Sequence, residues 1–342
     1  MWIARCDPVK GEHLAAGLQA DDSRITGFRY ERLRRSWRSR IIASMGSHAH
    51  GPLKFGVLGP LEVLRDGEPV QLGGKRQRAL LALLLVHANE LVTVDQLIDG
   101  LSGEQRSQSA VNAMRVAVSR LRRSLENGDS DDVLRTAPGG YVLCTDPDQL
   151  DVSLFEGLLE EGLQLLVVGD HQSAAARLRA GLGLWRGPAL ADLSLLEFLQ
   201  PEIRRLEELR LLAVMGRIDA ELGLGAAGEL IGELELLVAS NPLQERLRGQ
   251  LMRALYRAGR QADALTVYRQ TSELMRDELG LEPSRELREL ERSILQQHAE
   301  LEPALRHRHR WATSQCRPHR SSAALVSWPS SPRFSADPIY GC

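Results

Sequence analysis

The chain has 342 residues, of which 43% are hydrophobic and 26% charged, and its net charge is −2. This composition is typical of a folded protein, and no apolar run approaches the roughly 20 residues that would span a bilayer, so we expect no membrane partner. The length exceeds the roughly 250 to 300 residues at which single cores stop growing, which favours two domains. The 4 cysteines lack metal-binding spacing, and we expect no metal site, cofactor or disulfide framework.

Residues 1–50 carry 9 Lys and Arg against 5 Asp and Glu and have no sustained apolar period. Two interpretations stay open: a disordered segment, or an extension upstream of a true start at Met45. The first residues lack both a compact apolar core and a clean cleavage site, so they predict no secretory signal. We therefore expect a cytoplasmic, nucleoid-associated protein.

Residues 51–148 have the pattern of a small mixed domain. KFGVLGPLEVLRDGEPVQLGG alternates apolar and polar residues around turn signals, which predicts two or three short antiparallel strands. KRQRALLALLLVHAN predicts a helix that is buried nearly all round. In TVDQLIDGL, Thr93 and Gln96 have the spacing of a capping box, which predicts the start of a second short helix.

The stretch VNAMRVAVSRLRRSLE predicts a third helix, with four arginines and no acid before its last residue. On a helical wheel the buried stripe comprises Val111, Met114, Val118, Leu121 and Leu125. The opposite arc has the chemistry of a DNA-reading surface, because Asn and Arg can bond to base edges while Ser and further Arg bond to phosphates. The alternative for this arc alone is an ordinary solvated helix face.

The next stretch, VLRTAPGGYVLC, predicts a hairpin about residues 137–140, and strands, three helices and a hairpin in this order describe a winged helix-turn-helix. The predicted DNA-binding residues fall into three groups. We expect phosphate contacts from Lys75, Arg76, Arg115, Arg120, Arg122 and Arg123. We expect Asn112, Val116 and Ser119 to face bases, and Arg135 to lie on the wing. This domain carries 11 basic against 13 acidic residues, so DNA binding would depend on the placement of charges.

Residues 149–300 predict an all-α domain. Gly169, Gly225 and Gly259 each lie nine residues before an apolar helix position, and the last two are 34 residues apart, the tetratricopeptide period. This domain carries 17 basic against 25 acidic residues, which favours protein contact over a second DNA surface. Residues 301–342, rich in Ser, Pro, Arg and His, predict a disordered tail. The expected fold is mainly α, a winged helix-turn-helix followed by a tetratricopeptide-like domain.

Several motifs occur in the order found in the SARP family of bacterial antibiotic-regulatory transcription activators, which the chain resembles. FGVLGPLEV, KRQRALLALLL, VNAMRVAVSRLRRSLE and APGGYVL are similar to its winged helix, and DVSLFEGLL and DELGLEPSRELRELE to its bacterial transcriptional activator domain. The family usually has Trp after the second helix, where this chain has Leu101. The resemblance implies double-stranded DNA as a partner, bound at direct repeats near a biosynthetic promoter, with contact to RNA polymerase and its sigma factor. A homodimer on DNA is left open.

Enzyme motifs are missing, and no catalytic residue is expected. A phosphate-binding loop ending at Gly74-Lys75 would need Gly at position 69, where the chain has Pro69, and Ser or Thr at position 76, where it has Arg76. The sequence also lacks GxSxG and HExxH. The alternative to a DNA-binding activator is a tetratricopeptide interaction scaffold whose winged helix does not meet DNA.

Overall fold

The computed structural model describes residues 53–102, 108–125 and 133–298. The predictions for residues 1–50, for a start at Met45 and for the tail at 301–342 therefore lie outside the described residues. No helix in the described ranges is both long and apolar enough to cross a bilayer.

The described chain begins with a small antiparallel sheet. Its strands are β1 (Leu53–Gly56), β2 (Glu62–Arg65) and β3 (Glu68–Pro69), in the order β1-β2-β3. Phe55 pairs with Val63 in the β1–β2 register, and both side chains are buried. The turn between β2 and β3 has positive φ at Asp66 and Gly67, which suits Asp-Gly in a two-residue hairpin. The predicted strands are thus present.

Three helices follow, namely α1 (Lys75–Val86), α2 (Val94–Ser102) and α3 (Gln108–Leu125). Every residue from 79 to 85 of α1 is buried, as its run of leucines predicts, since α1 packs against both α2 and α3. The capping box at the start of α2 is confirmed. The Thr93 N–H donates to Gln96 Oε1 at 2.8 Å, and the Gln96 N–H donates to Thr93 Oγ1 at 3.2 Å. Leu101 stands at about the position where the family usually has Trp. Its side chain is half-buried and packs against the core.

A second sheet completes this unit with β4 (Val92–Thr93), β5 (Leu134–Ala137) and β6 (Gly140–Leu143), in the order β4-β6-β5. The predicted hairpin is the β5–β6 pair, and Gly139 takes the left-handed φ of +85° at its turn. β4 pairs with β6 and lies so close to it that a Cβ on Gly140 would be 2.1 Å from the Val92 carbonyl oxygen. The hairpin is therefore held against the strand that precedes α2.

The rest of the described chain is helical. The helices are α4 (Asp151–Val167), α5 (His171–Leu182), α6 (Gln200–Gly223), α7 (Ala227–Ser240), α8 (Glu245–Arg257), α9 (Gln261–Leu279) and α10 (Arg285–Leu295). Gly169, Gly225 and Gly259 have φ of +80°, +91° and +81°, and each lies in the turn between two consecutive helices. The glycine spacing read from the sequence thus marks the turns of helical hairpins, whose packing continues from one hairpin to the next.

The winged unit and the first helical hairpin share one hydrophobic core. This core runs without interruption from Phe55 in β1 and Leu84 in α1 to Phe155 in α4 and Leu199, all of them buried. A second core, centred on Leu234 and Leu255, holds the later helices together. The winged unit is therefore packed against the helical part by apolar burial as well as by the chain connection.

Polar contacts follow the same seam. Phe55 forms a parallel bridge with Leu150, the Arg186 N–H donates to the Leu58 carbonyl at 2.8 Å, and the Leu190 N–H donates to the Val57 carbonyl at 3.1 Å. These bonds provide partners for backbone groups that emerge from the end of β1 and would otherwise be buried without any. They extend the edge of the first sheet onto the helical part.

Two carboxylates lie at this seam. Asp151 accepts from the backbone N–H of Val57 and Leu58 and forms an ion pair with Arg186 at 3.2 Å. Burial raises the pKa of the Asp151 carboxyl, against the lowering effects of the two N–H donors and Arg186. Asp192 forms an ion pair with Arg78 of α1 at 2.5 Å. Both carboxylates belong to the helical part and bind groups of the winged unit.

Candidate nucleic-acid interface

Helix α3 has one face in the core and one in solvent. The buried side chains of α3 are Ala110, Met114, Val118, Leu121 and Leu125, which pack against α1 and α2. Four of the five positions of the predicted buried stripe are confirmed. Val111, the fifth, is only half-buried, and the buried residue at this end is Ala110, which lies four residues before Met114 and outside the quoted stretch.

The exposed face of α3 carries the side chains that the sequence predicts for DNA contact. The exposed residues are Gln108, Ser109, Asn112, Arg115, Val116, Ser119, Arg120 and Arg123. No acid occurs anywhere in the helix, so nothing on α3 itself would repel a phosphate. Three arginines and four neutral hydrogen-bonding residues surround one apolar side chain, that of Val116. We call this set the α3 face.

Asn112 has a hydrogen-bonding neighbour that the sequence analysis missed. Gln108 Nε2 donates to Asn112 Oδ1 at 3.3 Å, one turn earlier on the same helix. This bond favours one orientation of the Asn112 amide, with its NH2 group directed away from Gln108. The sequence contains the signal for this bond, because Gln and Asn four residues apart are neighbours on a helix surface.

Arg122 is engaged differently from the other arginines of α3. Its guanidinium donates to the Leu134 carbonyl through Nε at 3.1 Å and Nη2 at 2.7 Å, and to Thr136 Oγ1 at 3.1 Å. Both partners lie on β5, so Arg122 joins α3 to the β5–β6 hairpin. Its predicted phosphate contact stays a prediction, and it would have to coexist with these bonds.

The predicted wing residue, Arg135, is exposed on β5 and is paired in register with Val142 of β6. The residues on either side of it in β5, Leu134 and Thr136, both accept hydrogen bonds from Arg122. Arg135 therefore lies in the segment of β5 that Arg122 joins to α3.

The start of α1 lies beside the last turn of α3. Gln77 Nε2 donates to Ser124 Oγ at 2.9 Å, and Lys75 and Arg76, both exposed, immediately precede Gln77. The positive end of the α1 dipole and its first N–H groups lie at the same place. The structure thus places Lys75 and Arg76 near the end of α3 that carries Arg123.

Arg65 of β2 fixes that end of α3 from the other side. Its guanidinium donates to the Leu125 carbonyl, one of the last carbonyls of the helix, which no residue within the helix can bind. The C-terminal end of α3 is thus held by β2 and by α1, and its other turns by the core.

Among the described residues there is no group of three or more His, Cys, Asp or Glu side chains placed to hold a metal ion. Cys144 is the cysteine within these ranges, and it is a half-buried thiol.

Two family models match the chain. The model for the C terminal region of transcriptional regulatory proteins matches residues 67–143, and the bacterial transcriptional activator domain matches residues 150–295. The first range contains α1, α2, α3 and the β5–β6 hairpin, and the second contains all seven helices of the helical part. The two models together span the described structure almost completely.

Known relatives have the same combination. The chain is 37% identical over 250 residues to the regulatory protein DnrI of Streptomyces peucetius, covering 71% of this chain and 92% of DnrI. It is 42% identical to the regulatory protein AfsR of Streptomyces coelicolor over 72% of this chain, but this match spans 24% of AfsR. The chain thus corresponds to about a quarter of the length of the AfsR proteins that it matches.

A solved structure gives the corresponding fold. Mycobacterium tuberculosis EmbR, in complex with a low affinity phosphopeptide, superposes with a TM-score of 0.68 at 38% sequence identity, covering 72% of this chain and 65% of EmbR. These relatives are transcriptional regulators, and the resemblance read from the sequence motifs is confirmed. The chain belongs to the SARP family.

Proposed function

We propose that this protein is a sequence-specific DNA-binding transcription activator. The observation that carries the proposal is the α3 face, which exposes Asn112 and Ser119 between arginines on a helix that has no acid. In helix-turn-helix proteins the equivalent helix enters the major groove, where amides and hydroxyls can bond to base edges. Membership of a family of transcriptional regulators supports the same conclusion.

In this mechanism the work is divided between two groups of side chains. Asn112, Val116 and Ser119 face base edges and supply sequence choice. The cations around them bind phosphates and set the register; they are Lys75, Arg76, Arg115, Arg120 and Arg123, with Arg122 and Arg135 at the wing. The β5–β6 hairpin, which Arg122 joins to α3, lies at the adjacent minor groove.

The finer parts of the proposal rest on the family. We propose binding to direct repeats near a promoter of a secondary-metabolite cluster, and contact between the helical part and RNA polymerase with its sigma factor. The acidic balance of residues 151–300, 17 basic against 25 acidic, supports protein contact rather than a second DNA surface there. Run-off transcription with purified polymerase, with and without the protein, tests activation.

Salt dependence separates this proposal from the interaction scaffold. We would measure binding of the full chain to its own upstream intergenic duplex and to a scrambled duplex, between about 50 and 200 mM salt, where phosphate contacts weaken steeply. The slope of log K against log salt should be about −4.5 for each bound copy if five cations each bind one phosphate, namely Lys75, Arg76, Arg115, Arg120 and Arg123. Tighter binding to the native duplex with such a slope supports a sequence-reading regulator.

A matched control guards against non-specific charge effects. Arg285 lies on α10 in the helical part, and its side chain is 81% exposed. Arg285→Ala should leave both the affinity and the salt slope unchanged, whereas Arg120→Ala should reduce both. Equal binding of both duplexes, or no binding at low salt by the folded chain, would favour the scaffold.

A further inference from the structure

We propose that Val116 reads a thymine through its C5-methyl group, at the centre of the α3 face. This inference deepens the proposed function and rests on it. Val116 is 50% exposed, and every other side chain exposed on α3 is polar or charged. The site is therefore a single apolar position within a polar surface.

The spacing of residues aligns Val116 with the predicted base readers. Asn112, Val116 and Ser119 follow one another at four and three residues, so they form one row along the helix surface. Arg115 and Arg120 lie on the two sides of this row, and Arg123, seven residues after Val116, continues it. When the row faces the floor of a groove, Arg115 and Arg120 face its phosphate walls, so Val116 meets a base edge and not the backbone.

The chemistry of the major groove offers Val116 one complementary partner. Base edges there present hydrogen-bond donors and acceptors, with one apolar group among them, the C5-methyl of thymine. Any donor or acceptor that Val116 covered would lose its water without gaining a partner, which is unfavourable. Cytosine lacks the methyl and exposes an amino group, so the site should select thymine over cytosine at one position in each repeat.

Deoxyuridine supplies the test, because it differs from thymidine by that methyl alone. Sites would be selected from a random duplex pool by the full chain, and each thymine of a selected site would then be replaced singly by deoxyuridine. At one position per repeat we expect the affinity to fall about fourfold, the effect of one buried methyl-sized group. Restoring the methyl on a cytosine, as 5-methylcytosine, should recover part of the affinity lost with cytosine.

Variants assign the methyl contact to Val116. Val116→Ala should bind the thymine and uracil duplexes equally, while Val116→Ile should keep the preference for thymine. Arg123→Ala serves as the control, since it should weaken both duplexes by the same factor and leave their ratio unchanged. Circular dichroism of each variant verifies the fold, and an exposed position such as Val116 tolerates these changes.

The outcomes separate this inference from the proposed function. If specific sites are selected but no thymine shows a methyl effect, or if the effect persists in Val116→Ala, the inference is overturned and the regulator stands. If the full chain selects no site at all, both fail. A methyl effect that Val116→Ala removes establishes Val116 as the residue that selects thymine.

Discussion

Asp151, the first residue of α4, accepts hydrogen bonds from the backbone N–H of Val57, 94 residues earlier in the chain, at 2.9 and 3.0 Å. The same carboxylate accepts from the N–H of Leu58 and forms an ion pair with Arg186. One side chain of the helical part thus binds the backbone that leaves the first strand of the winged unit.

Asp151→Ala should lower the free energy of unfolding by about 2 to 4 kcal/mol, because two buried N–H groups lose their acceptor and each such loss costs about 1 to 3 kcal/mol. Arg186 would also lose one of its two carboxylate partners. Urea denaturation followed by circular dichroism measures the change. Asp148→Ala, at an exposed aspartate three residues earlier, is the control and should have almost no effect. Equal stability of the two variants would contradict the structural role of Asp151.

Arg122 and Arg123 are neighbours with different predicted effects on stability. Arg122→Ala removes the three hydrogen bonds to β5, and we expect it to reduce the free energy of unfolding by about 1 to 2 kcal/mol. Arg123→Ala removes an exposed side chain and should change it by less than about 0.5 kcal/mol. Thermal and urea unfolding of both variants in the absence of DNA decide between this assignment and one in which both arginines only bind phosphate.

Asn112→Ala should relax sequence choice at one base position by about 1 to 3 kcal/mol, because one pair of hydrogen bonds to a base edge is lost. The measurement is the affinity for a set of duplexes with every single base change in a selected site. Arg285→Ala, at an exposed residue of α10 in the helical part, should leave the ranking of those duplexes unchanged. An unchanged ranking for Asn112→Ala would refute the placement of this amide at the bases.

Arg123→Ala should instead weaken all duplexes by a similar factor and make the salt slope less steep by about one, as expected for the loss of one phosphate contact. The readout is the slope of log K against log salt for the native and scrambled duplexes. A change confined to the native duplex would mean that Arg123 reads a base.

Gly140→Ala should reduce stability by about 1 to 3 kcal/mol, because its methyl group would collide with the Val92 carbonyl and the strands would have to separate. Gly157→Ala is the matched comparison within α4, where a Cβ would meet no atom within 4 Å. That change should stabilise the chain by about 0.5 to 1 kcal/mol, because alanine favours the helix. If both variants were equally stable, β4 would not be held against the hairpin as the structure has it.

Local patterns predicted most of the winged unit. The alternation around Phe55, the Asp66-Gly67 turn and the capping box of Thr93 and Gln96 each depend on residues close together in sequence, and each is confirmed. The membership of the α3 face could also be predicted, since a helical wheel separates the buried Met114 and Val118 from their exposed neighbours.

Contacts between distant segments could not be predicted. Nothing near Asp151 in the sequence indicates that it binds Val57, and the pairing of Arg122 with Leu134 depends on where the hairpin folds back. Local patterns therefore do not distinguish Arg122, which donates to a β5 carbonyl, from the other arginines of α3. The core that contains both Phe55 and Phe155 also depends on contacts between distant segments, because the apolar end of β1 packs across the seam.

This shared core has a practical consequence for work on the isolated winged unit. A chain cut before Asp151 would lose the acceptor for the two N–H groups that follow β1, and it would expose Phe55 and Leu58, which now share a core with side chains of the helical part. Such a fragment would present an uncovered strand end and an adjoining apolar surface, the combination that promotes aggregation. Proteolysis should accordingly yield no long-lived winged fragment, and heating should give one melting transition in place of two.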